Sequence, residues 1–133
     1  MQDPKNPAPD GEKVREALSR GGVIDITTTG RKSKEPRRIE IVFHIIGGKI
    51  YISGTPRPEA RKWLRNLEAD SHLTLHLKGQ VKADLPATAR VITDESERRA
   101  VLPAVAKVWK RNDLETMVRY SPLIEVTLEK DAA

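Results

Sequence analysis

The run Thr27-Thr28-Thr29-Gly30-Arg31-Lys32-Ser33-Lys34-Glu35-Pro36-Arg37-Arg38 puts five cations and one anion between two β-branched stretches. It carries four of the five net positive charges of the 133-residue chain. A charge balance this local describes one anion site rather than a basic surface. Arg31, Lys32, Arg37 and Arg38 supply the charge, and an arginine fork matches two phosphate oxygens at once. Gly30 and Ser33 are small enough to bring backbone N–H groups close to an anion, and Ser33 adds a hydroxyl. The alternative is a solvated hairpin turn, against which the crowding of like charges argues. Neither the spacing of a P-loop nor Gly-x-Gly-x-x-Gly is present.

A second cluster, Ser53-Gly54-Thr55-Pro56-Arg57, precedes a segment holding Arg61, Lys62 and Arg65. A loop that runs into a helix N-terminus exposes free N–H groups and the positive end of the helix dipole. That makes a second place for an anion or a polar ring edge, with a plain strand-to-helix turn as the alternative. His44 has the opposite parity to Ile39, Ile41, Phe43 and Ile45, so it faces either solvent or a ligand groove. His44, His72 and His76 show no metal-ligand spacing, and no metal is expected. Trp63 and Trp109 fall on helical segments, where core packing accounts for most tryptophans. Tyr120, at a helix end, either packs or presents its hydroxyl to a cleft.

The elements that must hold these residues follow from periodicity. Asp10 to Arg20 fits a short helix with Val14, Ala17 and Leu18 on one face, Asp10 as N-cap and Gly21-Gly22 as stop. Residues 1–9 hold three prolines and form a tail expected to be disordered, leaving 10–133 as a single domain. Strands are expected at Val23 to Thr29, Arg37 to Ile46 and Lys49 to Ser53, the last two joined by a Gly47-Gly48 turn. Glu59 to Ala69 should be a helix with Ala60, Trp63, Leu64 and Leu67 as its apolar stripe. Leu73 to Leu77 alternates as a half-buried strand. Another strand is expected around Ala87 to Ile92, with Pro86 marking an edge or a bulge. Asp94 caps a two-part helix, Glu95 to Lys110 and Asp113 to Tyr120, and Leu123 to Leu128 is the last strand. Such an order gives a largely antiparallel sheet curled into a small barrel with helices outside.

Composition narrows the class. The absence of cysteine removes disulfides and thiolate chemistry and suits a reducing compartment, so a cytoplasmic protein is expected. No apolar run approaches the length of a membrane span. A pI near 9.6 raises nucleic acid as a partner. An aromatic content of 4% and the lack of any nucleic-acid motif argue against it, and no nucleic acid is expected.

Thr-Thr-Thr-Gly-Arg-Lys-Ser, Pro36-Arg37, the apolar hairpin, Trp63-x-x-Asn66-Leu67 and the Leu-Thr-Leu-His-Leu strand together resemble the deazaflavin-dependent nitroreductase family. The resemblance implies an α+β split β-barrel, similar to the flavin-mononucleotide-binding split barrels, with about six antiparallel strands and flanking helices. It implies coenzyme F-420, an anionic 5-deazaflavin, as cofactor, with flavin mononucleotide less favoured. Arg31, Lys32, Ser33 and Arg37 match the loop at the phosphate end of that cofactor. Ser53, Gly54, Thr55 and Arg57 match the loop along its ring, and Trp63 and Asn66 match helix positions beside it. The implied reaction passes a hydride from the reduced deazaflavin to a small hydrophobic quinone, enone or nitro compound. Thr55 and Tyr120 are then candidate catalytic donors, and His44 and Tyr120 candidate substrate contacts. A homodimer through the sheet is also implied. The chain departs from the family pattern at Lys34, where glycine is common, at Arg57, near which some members carry a lysine, and in a substrate wall poor in tyrosine.

Overall fold

The computed structural model describes residues 11–59 and 61–129, so the expected tail, the Asp10 cap and the place of Ala60 in the helical stripe lie outside the described residues. Ten elements follow one another: α1 (Gly11–Arg20), β1 (Gly22–Thr29), β2 (Pro36–Ile46), β3 (Lys49–Ser53), α2 (Lys62–Ala69), β4 (His72–Lys78), β5 (Lys82–Val91), α3 (Glu95–Val108), α4 (Leu114–Tyr120) and β6 (Leu123–Leu128). The six strands close into one barrel in the order β1-β2-β3-β6-β5-β4. Every neighbouring pair is antiparallel.

Alternation decides which side chains fill the barrel. Ile24 and Ile26 of β1, Leu73, Leu75 and Leu77 of β4, and Leu85 and Ala87 of β5 point inward with Phe43, Ile52, Ile124 and Val126. Trp63 and Leu67 of α2 and Val14 and Leu18 of α1 join the same core. A second apolar cluster lies on the outside of the barrel, where Tyr51 and Leu123 are covered by Val101, Leu102 and Val105 of α3 and Met117 of α4. Gly47 and Gly48 both have positive φ, 58° and 77°, the conformation that a two-residue hairpin turn needs to follow the strand twist. Among the described residues no helix is long and apolar enough to cross a membrane.

The structure corrects three local expectations. The helix expected from Glu59 begins only at Lys62, because Arg61, the residue before it, is extended at φ −80°, ψ 142°. Pro86 is not on a sheet edge: it stands inside β5, opposite Thr74 of β4. Its carbonyl accepts from the amide of Glu129, so the side that lacks an N–H faces the end of the β5–β6 ladder. His44 is neither solvent-facing nor in a groove. It is 5% exposed, its ring set edge-on against Trp109 at a centroid distance of 5.2 Å, and its Nε2 has no partner.

Burial lowers the His44 pKa, which fixes the sign of a pH effect. The unfolded chain takes the proton first, so stability is full above the ordinary histidine value of about 6.5 and is lost as pH falls below it toward the folded pKa. The carboxylates of Asp25, Glu97 and Glu115 have lowered values set by Lys78 and Arg38, by Arg90 and by Arg99 respectively. Their loss therefore begins only below about pH 4.5. Thermal melts should show a decline from pH 7 to 5 that His44→Phe removes. The same substitution should raise Tm at pH 7, because it deletes a buried nitrogen without a partner. A pH profile unchanged by His44→Phe would refute this origin.

Candidate functional site

The basic loop is a tight, tied-down structure. Gly30 N–H donates to the Glu35 carbonyl at 2.8 Å, and Lys34 N–H to the Gly30 carbonyl at 2.9 Å. A Cβ on Gly30 would stand 2.5 Å from Ser33 Oγ, so the fold of the loop needs glycine there. Ser33 Oγ accepts from Glu35 N–H at 3.2 Å and from Arg37 Nη2 at 3.4 Å, which leaves its own O–H to donate. Lys34 has a φ of 62°, a left-handed conformation that disfavours side chains. That explains why glycine suits the position. Lys34→Gly should stabilise the protein by about 0.5–1 kcal/mol, read as a higher Tm; a lower Tm would refute the strain.

Among the described residues Arg31, Lys32 and Arg37 are exposed and have no carboxylate partner, whereas Arg38 is bound to Asp25 at 2.9 Å. Lys34 is likewise exposed and outside any ion pair among the described residues, so the loop presents four such cations and a serine hydroxyl. Asn66 of α2 fixes its position. The Asn66 side chain is 7% exposed, accepts from Arg31 N–H at 3.1 Å and donates to Thr28 Oγ1 at 3.0 Å. Both ends of that amide are engaged, so Asn66 acts on the loop rather than as an open contact. Trp63 lies in the barrel core and supports α2 by packing.

The other face of α2 borders a cleft of about 690 Å³. Arg57 and Arg61 line it together with Thr116, Arg119 and Tyr120 of α4 and with Pro122. The size is that of a small-molecule site. Tyr120 is 43% exposed there, while His44 is not among the lining residues. Ser53 Oγ donates to the Pro122 carbonyl at 2.6 Å and joins the ends of β3 and β6, so its hydroxyl hydrogen is spent on the framework. Thr55 is exposed, and Arg61 Nη2 donates to its carbonyl at 2.6 Å and to its Oγ1 at 3.2 Å. Arg61 and Asn66 are five residues apart on or next to α2, about 7.5 Å along a helix axis, so the basic loop and the cleft flank one element.

Two arginines of this region escape sequence reasoning. Arg98 is 9% exposed and donates to the carbonyls of Ile92 at 2.9 Å, Val118 at 2.8 Å, Met117 at 3.2 Å and Ser121. It joins α3 to the C-terminal end of α4 and to the residue that follows β5. The signal was its spacing with Val101, Leu102 and Val105, which places it in the apolar stripe of α3. Arg61 carries no comparable signal, because its role depends on the chain folding back from Thr55.

The F-420H(2)-dependent quinone reductase family profile matches residues 6–126. Among solved structures, the chain is similar to an F-420-H2 dependent reductase at 23% identity and a TM-score of 0.53, over 80% of this chain and 94% of that one. It is also similar to a conserved hypothetical protein from Mycobacterium tuberculosis, at 12% identity and a TM-score of 0.72, over 98% and 86%. A putative pyridoxamine 5'-phosphate oxidase from Listeria innocua matches at 14% identity and a TM-score of 0.64, over 90% and 93%. These structures share the split-barrel fold, and the profile carries the function: the chain belongs to the F-420H(2)-dependent quinone reductase family and is an F-420-dependent oxidoreductase.

Proposed function

We propose that the basic loop anchors the phosphate end of F-420, that the ring lies along Gly54 to Arg57, and that a quinone, enone or nitro compound is reduced in the cleft beside Tyr120. The observation that carries this reading is that Arg31, Lys32 and Arg37 stand outside any ion pair among the described residues, on a loop held to α2 by Asn66. The donor set fits an anionic cofactor, since each arginine offers a fork to phosphate oxygens and Ser33 keeps a donor free. When bound, the reduced deazaflavin supplies the hydride. This chain's own residues bind it, hold the acceptor close and face the charge that develops on the acceptor. The Tyr120 hydroxyl in the cleft wall and Thr55, held beside the cleft by Arg61, are candidate donors.

Titration of the protein with F-420 and, separately, with flavin mononucleotide tests the reading. Saturable binding of F-420 with weaker binding of the flavin is expected, followed by oxidation of reduced F-420 in the presence of quinones, enones or nitroarenes. Equal affinity for both cofactors would favour a general flavin-binding barrel. Oligonucleotide binding with a steep salt slope would assign the basic loop to nucleic acid instead.

A further inference from the structure

Arg61 is a half-buried guanidinium with no carboxylate partner among the described residues, set in the wall of the cleft. Its Nη2 is committed to the carbonyl and hydroxyl of Thr55. Nε and Nη1 have no hydrogen-bond partner among the described residues. The guanidinium is pressed onto the backbone: a Cβ on Gly54 would lie 3.0 Å from Arg61 Nη2 and 3.1 Å from Pro122 Cγ. Burial, and next the like charge of Arg57, hold its pKa below the ordinary arginine value. Arg57 and Arg61 make no ion pair among the described residues, although Glu59 and Glu68 also line the cleft and Glu68 is paired with Arg65, while nearby Arg99 is fully paired with Glu95 and Glu115. A partly desolvated cation with unused donors in a cleft of this size is arranged for an oxyanion.

We propose that Arg61 is the oxyanion-binding group of the cleft, pinned by Nη2 to Thr55 and offering Nε and Nη1 to the acceptor oxygen that becomes negative during reduction. The proposal rests on the cofactor reading above for its chemistry. One hydride passes from the reduced cofactor to the acceptor: the donor C–H bond breaks, a C–H bond forms on the acceptor, and the displaced π pair ends on the acceptor oxygen. The guanidinium stabilises that oxygen without giving up a proton, and a proton from water neutralises it afterwards. Pinning matters because a donor already in place costs no reorganisation as charge develops.

The test has a binding arm and a turnover arm. A hydroxynaphthoquinone, an anion at neutral pH, and its neutral methyl ether are titrated calorimetrically into the protein without added cofactor. The Arg31→Ala variant serves as a control for binding at the basic loop. Wild type should bind the anion at least about tenfold more tightly than the ether, and Arg61→Gln should abolish that preference. In turnover with saturating reduced F-420 and a quinone, Arg61→Gln should lower kcat on the order of 10²-fold, a loss that more cofactor does not recover. Added guanidinium ions should restore part of the kcat of Arg61→Ala, which a merely structural residue would not allow. An anion preference retained in Arg61→Gln, or a kcat close to wild type, would overturn the proposal. Failure of wild type to bind F-420 would sink the cofactor reading instead, and the calorimetric arm would still decide the anion site.

Discussion

Replacing Arg31 and Lys32 together by alanine should cost the protein most of its affinity for F-420 and almost none of its stability. Both side chains are exposed and lack carboxylate partners among the described residues, so no ion pair described there is broken. Each lost charge-assisted contact to phosphate is worth about 1.5–3 kcal/mol, or roughly ten- to a hundredfold in Kd. The double variant should therefore bind about 10²–10⁴-fold more weakly, as read by titration of the deazaflavin absorption or fluorescence. At saturating cofactor kcat should recover, because the loop lies across α2 from the cleft in which the acceptor is proposed to bind. Tm should stay near the wild-type value. Unchanged affinity would remove the basic loop from the cofactor site, whatever the cofactor proves to be. Asn66→Leu is the informative contrast: it should weaken binding and stability together, since the buried amide holds both Arg31 N–H and Thr28.

The second large effect is on the fold itself. Arg98→Met should destabilise the protein by about 3–5 kcal/mol, and lower Tm on the order of 10–20 °C, because four carbonyls lose their donor inside the protein. Burial lowers the arginine pKa, yet the carbonyl oxygens around it favour the charged form. Arg98→Lys should recover only part, since an ammonium is a point donor and cannot span Ile92 on one side and Met117, Val118 and Ser121 on the other. The damage should be local at first. Because α4 forms the wall with Thr116, Arg119 and Tyr120, a destabilised variant that still folds should show a raised KM for the acceptor before any change in cofactor Kd. A Tm within about 2 °C of wild type would show that the carbonyls find other partners.

Much of this architecture was legible before the structure. The boundaries of β3 and β6 match the expected strands, because each is bounded by turn residues that leave little choice: Gly47-Gly48 before one, Ser121-Pro122 before the other. The barrel followed from short antiparallel connections. The parts that were not legible share a cause, which is dependence on contacts distant in sequence. His44 obeys strand parity, but parity says only that it points out of the barrel, not that α3 ends over it. Asn66 stands on an expected helix, yet its partners are 35 and 38 residues away. Arg61 looked like one more cation on a basic helix, whereas it stands extended before the helix with its guanidinium turned back to Thr55. Lys34 could be noticed as an oddity in sequence, but only its φ gives the reason.

Closure of the barrel has a consequence for synthesis. The seam between β3 and β6 pairs Ile50 with Val126 and Ser53 with Leu123, and β5 pairs with the same strand, so both ladders that complete the ring wait for β6. Until β6 has left the ribosome, β3 and β5 each keep a row of unpaired amides and carbonyls, the kind of edge that templates association with other chains. Loop-closure entropy must be met before that seam returns any free energy, so folding should be governed by the arrival of the last strand rather than by the helices. The nascent protein therefore passes through a long interval in which it is mostly made, partly ordered and still open along one side.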